Sequence, residues 1–450
     1  MGQFHPRLSR GVISPLTATA LAMETRNAQG ESIDQVVFVS CDLVESGFNA
    51  EVRTKLQGKV PGLDLNKITI SATHTHSAPC VASGWYEEPD DEPDFMPPDE
   101  YLEFLTDRVS EAVAAAWNDR QAGGISWGFD YAVVGHCRRA VYLDGSARMY
   151  GQTDREDFAG FEGYADHAVN LLYTWDAARK LTGVAVNVAC PAQCDESSYE
   201  YSADFWHDVR EALAARFGED VNLLPLCAPS GDMSPHLLVD GAAEKVLRQR
   251  TGLDKKGLIA RRLLHAIEST HDTARHHVQS HLELAHRPET IRLPLLQVTE
   301  EEYAMEQRAA ELDEEGRQEL PYMFQRLWPF GLVCDLRRRY EYQKTHQERG
   351  YECHIVRVGD VVFATNAFEL YQDFGMRLRG RSRALQTFVV QLSDSMDGFY
   401  LPSQRALEGG HYSAMIKSNW VGPEGGTVLV DRTVAVIDAL FAGVEYERTR

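Results

Sequence analysis

The chain is short of positive charge: 45 Lys and Arg stand against 67 Asp and Glu, a formal net charge of −22 over 450 residues. That balance argues against nucleic acid and anionic membrane as main partners, and says nothing about a reaction. No apolar run reaches membrane-spanning length. The N-terminal stretch MGQFHPRLSRGVIS lacks the apolar core of a signal peptide, and Pro6 spoils a myristoylation pattern. Cysteine is sparse, at eight residues, with Cys190 and Cys194 the only close pair. This fits reduced thiols better than a disulfide framework, so a cytoplasmic location is expected. There is no internal repeat, no low-complexity tail and no G-x-S-x-G elbow, so an α/β-hydrolase finds no support. With 44% hydrophobic residues the chain has material for a large core. One domain over 1–450 is expected, taking a small-molecule or acylated substrate.

What is present is an alternation of strand-like and helix-like patterns. Strands are expected at Gln35–Val39, Lys67–Ala72, Gly124–Gly128, Leu181–Ala189, Val221–Leu226, Thr290–Leu296, His354–Val358, Val361–Thr365 and Gln386–Leu392. Helices are expected at Tyr101–Trp117 with Asp99 as cap, at Asp204–Phe217 ending on Gly218, at Glu300–Arg317, and at Tyr322–Glu348 with a break near Pro329. The mixture predicts an α/β (mixed α+β) fold, a large mixed sheet flanked by helices. Residues 85–100, WYEEPDDEPDFMPPDE, form a proline-rich acidic insertion that reads as irregular, either a solvated loop or a lid.

Six stretches carry polar chemistry at strand ends. ISATHTHSAPC follows a β-branched run; were the strand to persist to residue 76, His74 and His76 would share a face, which suits a metal or an acid/base pair. LCAPSGDMSPH holds Ser234 extended before Pro235, where its hydroxyl can be presented. The strand Val184–Ala189 delivers Cys190, either a zinc ligand or a small core residue, and Asp204 and His207 follow at the next helix start. Glu369 follows Val361–Thr365 and can bind metal or favour a helix N-terminus. Tyr400 and Tyr412 lie on glycine-bearing loops. Arg138 and Arg139 can clamp a polarised oxygen or pair with surface carboxylates.

Taken together, SATHTHSAP and SGDMSPH resemble two motifs of the neutral (non-lysosomal) ceramidase family, A-T-H-T-H-S-G-P and G-D-[MV]-S-P-N. Weaker matches fall in the same order at Cys137-Arg138-Arg139, Cys190-Pro191, Ala367-Phe368-Glu369 and Tyr400-Leu401-Pro402-Ser403, with Tyr412 twelve residues beyond Tyr400. The resemblance covers roughly residues 10–420. It implies the ceramidase catalytic-domain fold and a zinc-dependent hydrolase of amide (N-acyl) bonds. His74, Cys190, Glu369 and Tyr400 would hold Zn2+, while His76, Arg138 and Ser234 would serve catalysis. Cys190 stands where the family has a histidine, and no C-terminal immunoglobulin-like domain is seen. Other readings are a hydrolase of another acyl or glycosidic linkage in a soluble substrate, a TIM-barrel amidohydrolase, and a metal-free binding homologue.

Overall fold

The computed structural model describes residues 2–3, 5–86, 88–89, 92–325, 335–444 and 446. Its strands gather into three principal sheets rather than one. Ala18–Arg26, Ser32–Cys41 and Ile68–Ala72 form the first, in that order. The second runs Asn222–Cys227, Leu181–Val188, Ala168–Asp176, Gly123–Tyr131, and the third Leu284–Pro294, Glu348–Val358, Val361–Thr365, Gln386–Val390. Each sheet mixes parallel and antiparallel neighbours. None of these sheets closes on itself, which removes the TIM barrel and leaves a mixed α/β fold.

Period-two patterning explains the layering, because successive residues of a strand face opposite sides. Val36 and Phe38, Leu172, Ala185, Leu224, Val361 and Phe363, and Phe388 and Val390 all enter one central apolar cluster shared by the three sheets. The residues between them face outward under helices. Val37 and Val39 pack beneath Pro98–Asn118, Val184 and Val186 beneath Phe205–Phe217 and Lys255–Ala274, and Val362 and Val389 beneath Gln372–Arg381 and Pro423–Leu440. Strands buried on both faces read as continuous apolar runs, which is why their sequences show so little polar alternation.

Local chemistry sets the helix ends. Pro98, with its φ already fixed, starts its helix at the first position, so the cap is Pro97; Asp99 instead accepts from Ser83 Oγ at 3.0 Å. Asp204 caps Phe205–Phe217 as expected, and Gly218 ends it. The expected helix Glu300–Arg317 divides at Leu312 into Glu300–Glu311 and Glu314–Arg317, each with its own cap, Thr299 and Asp313. Of the expected Tyr322–Glu348, Tyr322–Gln325 and Leu336–Gln343 are helical, and a strand begins at Glu348. Pro329 lies outside the described residues, as do Glu87, Asp90 and Asp91 of the acidic insertion. From Trp85 to Pro97 the described residues form neither helix nor strand. No helix among the described residues is long and apolar enough to cross a membrane.

Candidate active site

The strand Ile68–Ala72 stops before the histidines, contrary to the geometry assumed for them. His74 turns into the left-handed region, φ 63°, a conformation that costs a non-glycine residue roughly 1–3 kcal/mol. The flanking backbone holds it there: Thr73 N–H donates to Cys41 O, Thr75 N–H to Leu43 O, and His76 N–H to Ala192 O. The two imidazoles still meet, Nε2 to Nε2 at 3.2 Å, with rings edge to face. His74 Nδ1 bonds Val44 O at 2.7 Å, which fixes the proton on Nδ1 and leaves the Nε2 lone pair facing inward. That lone pair lies 3.3 Å from Glu369 Oε2.

Two ladders only two residues long bring the remaining groups in. Glu369–Leu370 pairs in parallel with Tyr400–Leu401, Glu369 directly opposite Tyr400. Met233–Ser234 pairs antiparallel with His136–Cys137, which sets the Ser-Gly-Asp turn beside Arg138. Arg138, 1% exposed, reaches Gly231 O at 3.0 Å, Tyr150 OH at 3.0 Å, Gln193 Oε1 at 3.3 Å, Tyr400 OH at 3.5 Å and Glu369 Oε2 at 3.6 Å. Burial alone would lower its pKa, but the Tyr150, Tyr412 and Tyr400 phenols and Glu369 outweigh it, so Arg138 stays charged. Burial raises the pKa of Tyr150, Tyr400 and Tyr412 and keeps these phenols protonated. Burial also pushes His76 well below the ordinary imidazole value, with His74 and Arg138 adding to the shift, so His76 is neutral.

His74, His76, Arg138, Glu369 and Tyr400 therefore meet in one cluster, and Ser234 joins it through a hydrogen bond to Tyr150. Cys190 does not take part in these contacts. Its thiol bonds Val134 O at 3.5 Å and Pro191 O at 3.6 Å within the apolar cluster beneath Phe205–Phe217. Burial, then Cys227 and Asp204, raise its pKa well above that of a free thiol. His207 sits half-buried in the first turn of Phe205–Phe217, its N–H on Asp204 O. Among the described residues no three His, Cys, Asp or Glu side chains are spaced, as they stand, to hold a metal ion.

Gln193, Tyr150 and Glu196 belong to the site without having been singled out in the sequence. Gln193 is fully buried, donates from Nε2 to His76 Nε2 at 2.7 Å, and accepts at Oε1 from Arg138 and Tyr150. Its only signal was its place in CPAQC, just past the strand that ends before Cys190. At the rim, Trp85 stacks on Phe399 beside Tyr400, and Tyr86 OH donates to Gln3 O. Arg7 donates to His76 O, so the acidic segment and residues near the N-terminus both border the site.

Gly231 packs directly against the backbone of Glu369. A Cβ there would stand 2.3 Å from Glu369 O and 3.0 Å from the Tyr371 ring. Gly231→Ala is expected to cost about 1–3 kcal/mol by overpacking and to displace Glu369, as measured by urea denaturation. Next to it, burial raises the Asp232 pKa to about 7. Between the ordinary carboxyl value and pH 7 the folded state then holds a proton that the unfolded state releases. Stability from this group is thus fullest in acid and falls as pH rises through that window. Asp232→Asn is expected to match the native stability near pH 4 and to exceed it above pH 7, seen as a pH-dependent difference in denaturation midpoint.

No family model matches the chain, and no curated protein matches it. Solved structures do. The fold superposes on a ceramidase complexed with C2, TM-score 0.67 at 14% identity, over 100% of this chain and 74% of that one. It also superposes on the neutral ceramidase of Pseudomonas aeruginosa, TM-score 0.63 at 15% identity, over 96% of this chain and 70% of that one. The fold is neutral ceramidase-like. A ceramidase-like fold at this identity fixes the architecture; the chemistry has to be argued from the side chains of this chain.

Proposed function

We propose that the chain is a hydrolase of amide (N-acyl) bonds whose zinc is held by His74, Glu369 and Tyr400. One observation carries the reading. On a ceramidase-like fold, His74 Nε2, Glu369 Oε2, Arg138 Nη2 and Tyr400 OH converge in a single buried cluster. The donor chemistry suits zinc: an imidazole with its lone pair exposed, a carboxylate and a phenol. When bound, zinc supplies Lewis acidity and lowers the pKa of a water toward ~7.

The chain's own residues supply the rest. Arg138 is a permanent, desolvated cation held from three sides, so a carbonyl oxygen set against it gains a charge-assisted hydrogen bond that strengthens as the oxygen turns negative. The protonated phenols of Tyr150 and Tyr412 stand beside Arg138 as donors toward a departing nitrogen. Ser234, bonded to Tyr150 and fully buried, orients that phenol.

A second reading, that the fold binds an acylated ligand without cleaving it, draws on Cys190, whose thiol lies in the core where the family pattern has a zinc ligand. A panel of N-acyl amines and acylated sugars, incubated with zinc-loaded protein and with chelator-treated protein, separates the two. Release of free amine that depends on zinc is expected. Binding without release would support the second reading, and release unaffected by chelator would contradict the role given to zinc.

A further inference from the structure

We propose that His354, in the core outside the site, carries protons on both ring nitrogens and acts through Asp394 as a positioning residue for His74 and Tyr400. The positioning role rests on the hydrolase reading above; the proton count stands apart from it. His354 and His286 are both fully buried, on the neighbouring strands Glu348–Val358 and Leu284–Pro294. His286 Nδ1 meets Gln35 O at 3.0 Å, and a carbonyl only accepts, so that nitrogen holds a proton. His286 Nε2 meets His354 Nδ1 at 2.8 Å, which takes one proton between them. His354 Nε2 meets Glu352 Oε1 at 2.9 Å and lies 3.6 Å from Asp394 Oδ2, so it donates as well. Three protons on two imidazoles make one positive charge.

The surroundings place that charge on His354. Burial, then His354, Lys67 and Arg287, lower the His286 pKa to about 2, so the His286 ring is neutral. Lys67 and Arg287 pair with Asp34, which accepts from His286 N–H. Against burial, the bonds from His354 and Arg53 hold the Glu352 pKa down at about 2, so Glu352 is ionised. The Asp394 side chain is fully buried. Its Oδ1 accepts from Ile70 N–H at 2.7 Å and from the Asn49 amide, and its Oδ2 accepts from Thr69 Oγ1 at 2.7 Å. Each of these partners donates, which marks a carboxylate although burial raises the Asp394 pKa. Arg53 offsets Glu352, and His354 offsets Asp394.

Asp394 clamps together the two segments that carry His74 and Tyr400. Ile68–Ala72 runs into His74, and residues 392–394 lead into Tyr400. Leu392 and Asp394 both take left-handed backbone, φ 56° and 62°, a strained course that local bonds must hold. Asp394 N–H donates to Ile70 O and to Ser46 Oγ, both at 2.9 Å. Leu392 O accepts from Ala72 N–H at 3.1 Å and from Ser46 Oγ at 2.8 Å, and Leu392 N–H donates to Phe368 O, next to Glu369. Ser46 lies two residues past Val44, whose carbonyl orients the His74 ring. A neutral residue at 354 leaves a buried carboxylate uncompensated where these segments join.

The test uses nuclear magnetic resonance of the full chain with isotopically labelled histidine nitrogens, at neutral pH, where an unperturbed imidazole is mostly uncharged. The His354 signals are assigned by their absence from His354→Gln, or from the paired variant His354→Gln, Asp394→Asn. Both ring nitrogens are expected to be protonated in the native chain. In His354→Gln, shown to be folded by circular dichroism, the His74 Nδ1 proton is expected to exchange faster with solvent. On an N-acyl substrate kcat is expected to fall by about 100-fold with KM little changed, the scale of a ~1 Å misplacement. Adding Asp394→Asn is expected to return part of that loss, because it removes the uncompensated charge. A His354 ring with one unprotonated nitrogen would overturn the proton count. Native kcat and native His74 exchange in folded His354→Gln would overturn the positioning role. A native chain that cleaves no member of the panel would instead overturn the hydrolase reading, and His74 exchange alone would then decide the positioning.

Discussion

Glu162→Ala is expected to lower the stability of the protein by about 3–5 kcal/mol, the cost of leaving a buried charge unpaired. Arg139 is fully buried and meets Glu162 through two bonds, Nε to Oε2 at 2.6 Å and Nη2 to Oε1 at 3.0 Å. The same guanidinium donates to Ser413 Oγ, beside Tyr412, and to Ala406 O and Gly410 O at the end of the helix just before it. Tyr371, two residues past Glu369, bonds the same Ser413. Losing the carboxylate therefore strands a cation and loosens two walls of the site at once. Urea denaturation measures the loss. The double variant Arg139→Met, Glu162→Leu is expected to recover much of it, since an apolar pair of similar volume has no charge to desolvate. Arg155 and Asp157 give the contrast: their side chains are 39% and 43% exposed, solvent screens the pair, and Asp157→Ala is expected to leave the denaturation midpoint essentially unchanged.

Arg138→Met is expected to lower kcat by about 10²–10³-fold, the usual loss when a preorganised donor to a developing negative charge is removed. Arg138→Lys is not expected to restore it. A single ammonium keeps the charge but cannot reach Tyr150 and Gln193 with one nitrogen while reaching Gly231, Tyr400 and Glu369 with the other. Steady-state kinetics on an N-acyl substrate from the panel provide the comparison. A fall confined to KM would place Arg138 in uniform binding instead of the transition state.

The strands were legible because burial on both faces leaves long apolar runs, and the helix Phe205–Phe217 because Asp204 and Gly218 mark its ends. Less legible was Pro423–Leu440, whose first turn holds two glycines and whose sequence is rich in β-branched residues. Gly426 lies so close to the Phe374 ring that a Cβ would stand 2.3 Å from it, so packing overrides propensity there. In the site, the histidine pair was legible but its route was not. Their approach comes from a left-handed turn at His74, held by backbone bonds to Cys41, Leu43 and Ala192, far off in sequence, and not from a continuing strand. The pairing of Glu369 with Tyr400 rests on a two-residue ladder, too short to leave a periodic signal. Gln193 acts only through partners 43 to 117 residues away, which no local pattern records.

The most direct test of the account is the zinc content of the full chain after reloading, set beside that of His74→Ala and Glu369→Gln. The account predicts one zinc per native chain and its loss from both variants, each still folded. A folded native chain that takes up no zinc, or variants that keep it, would contradict the site built on His74 and Glu369.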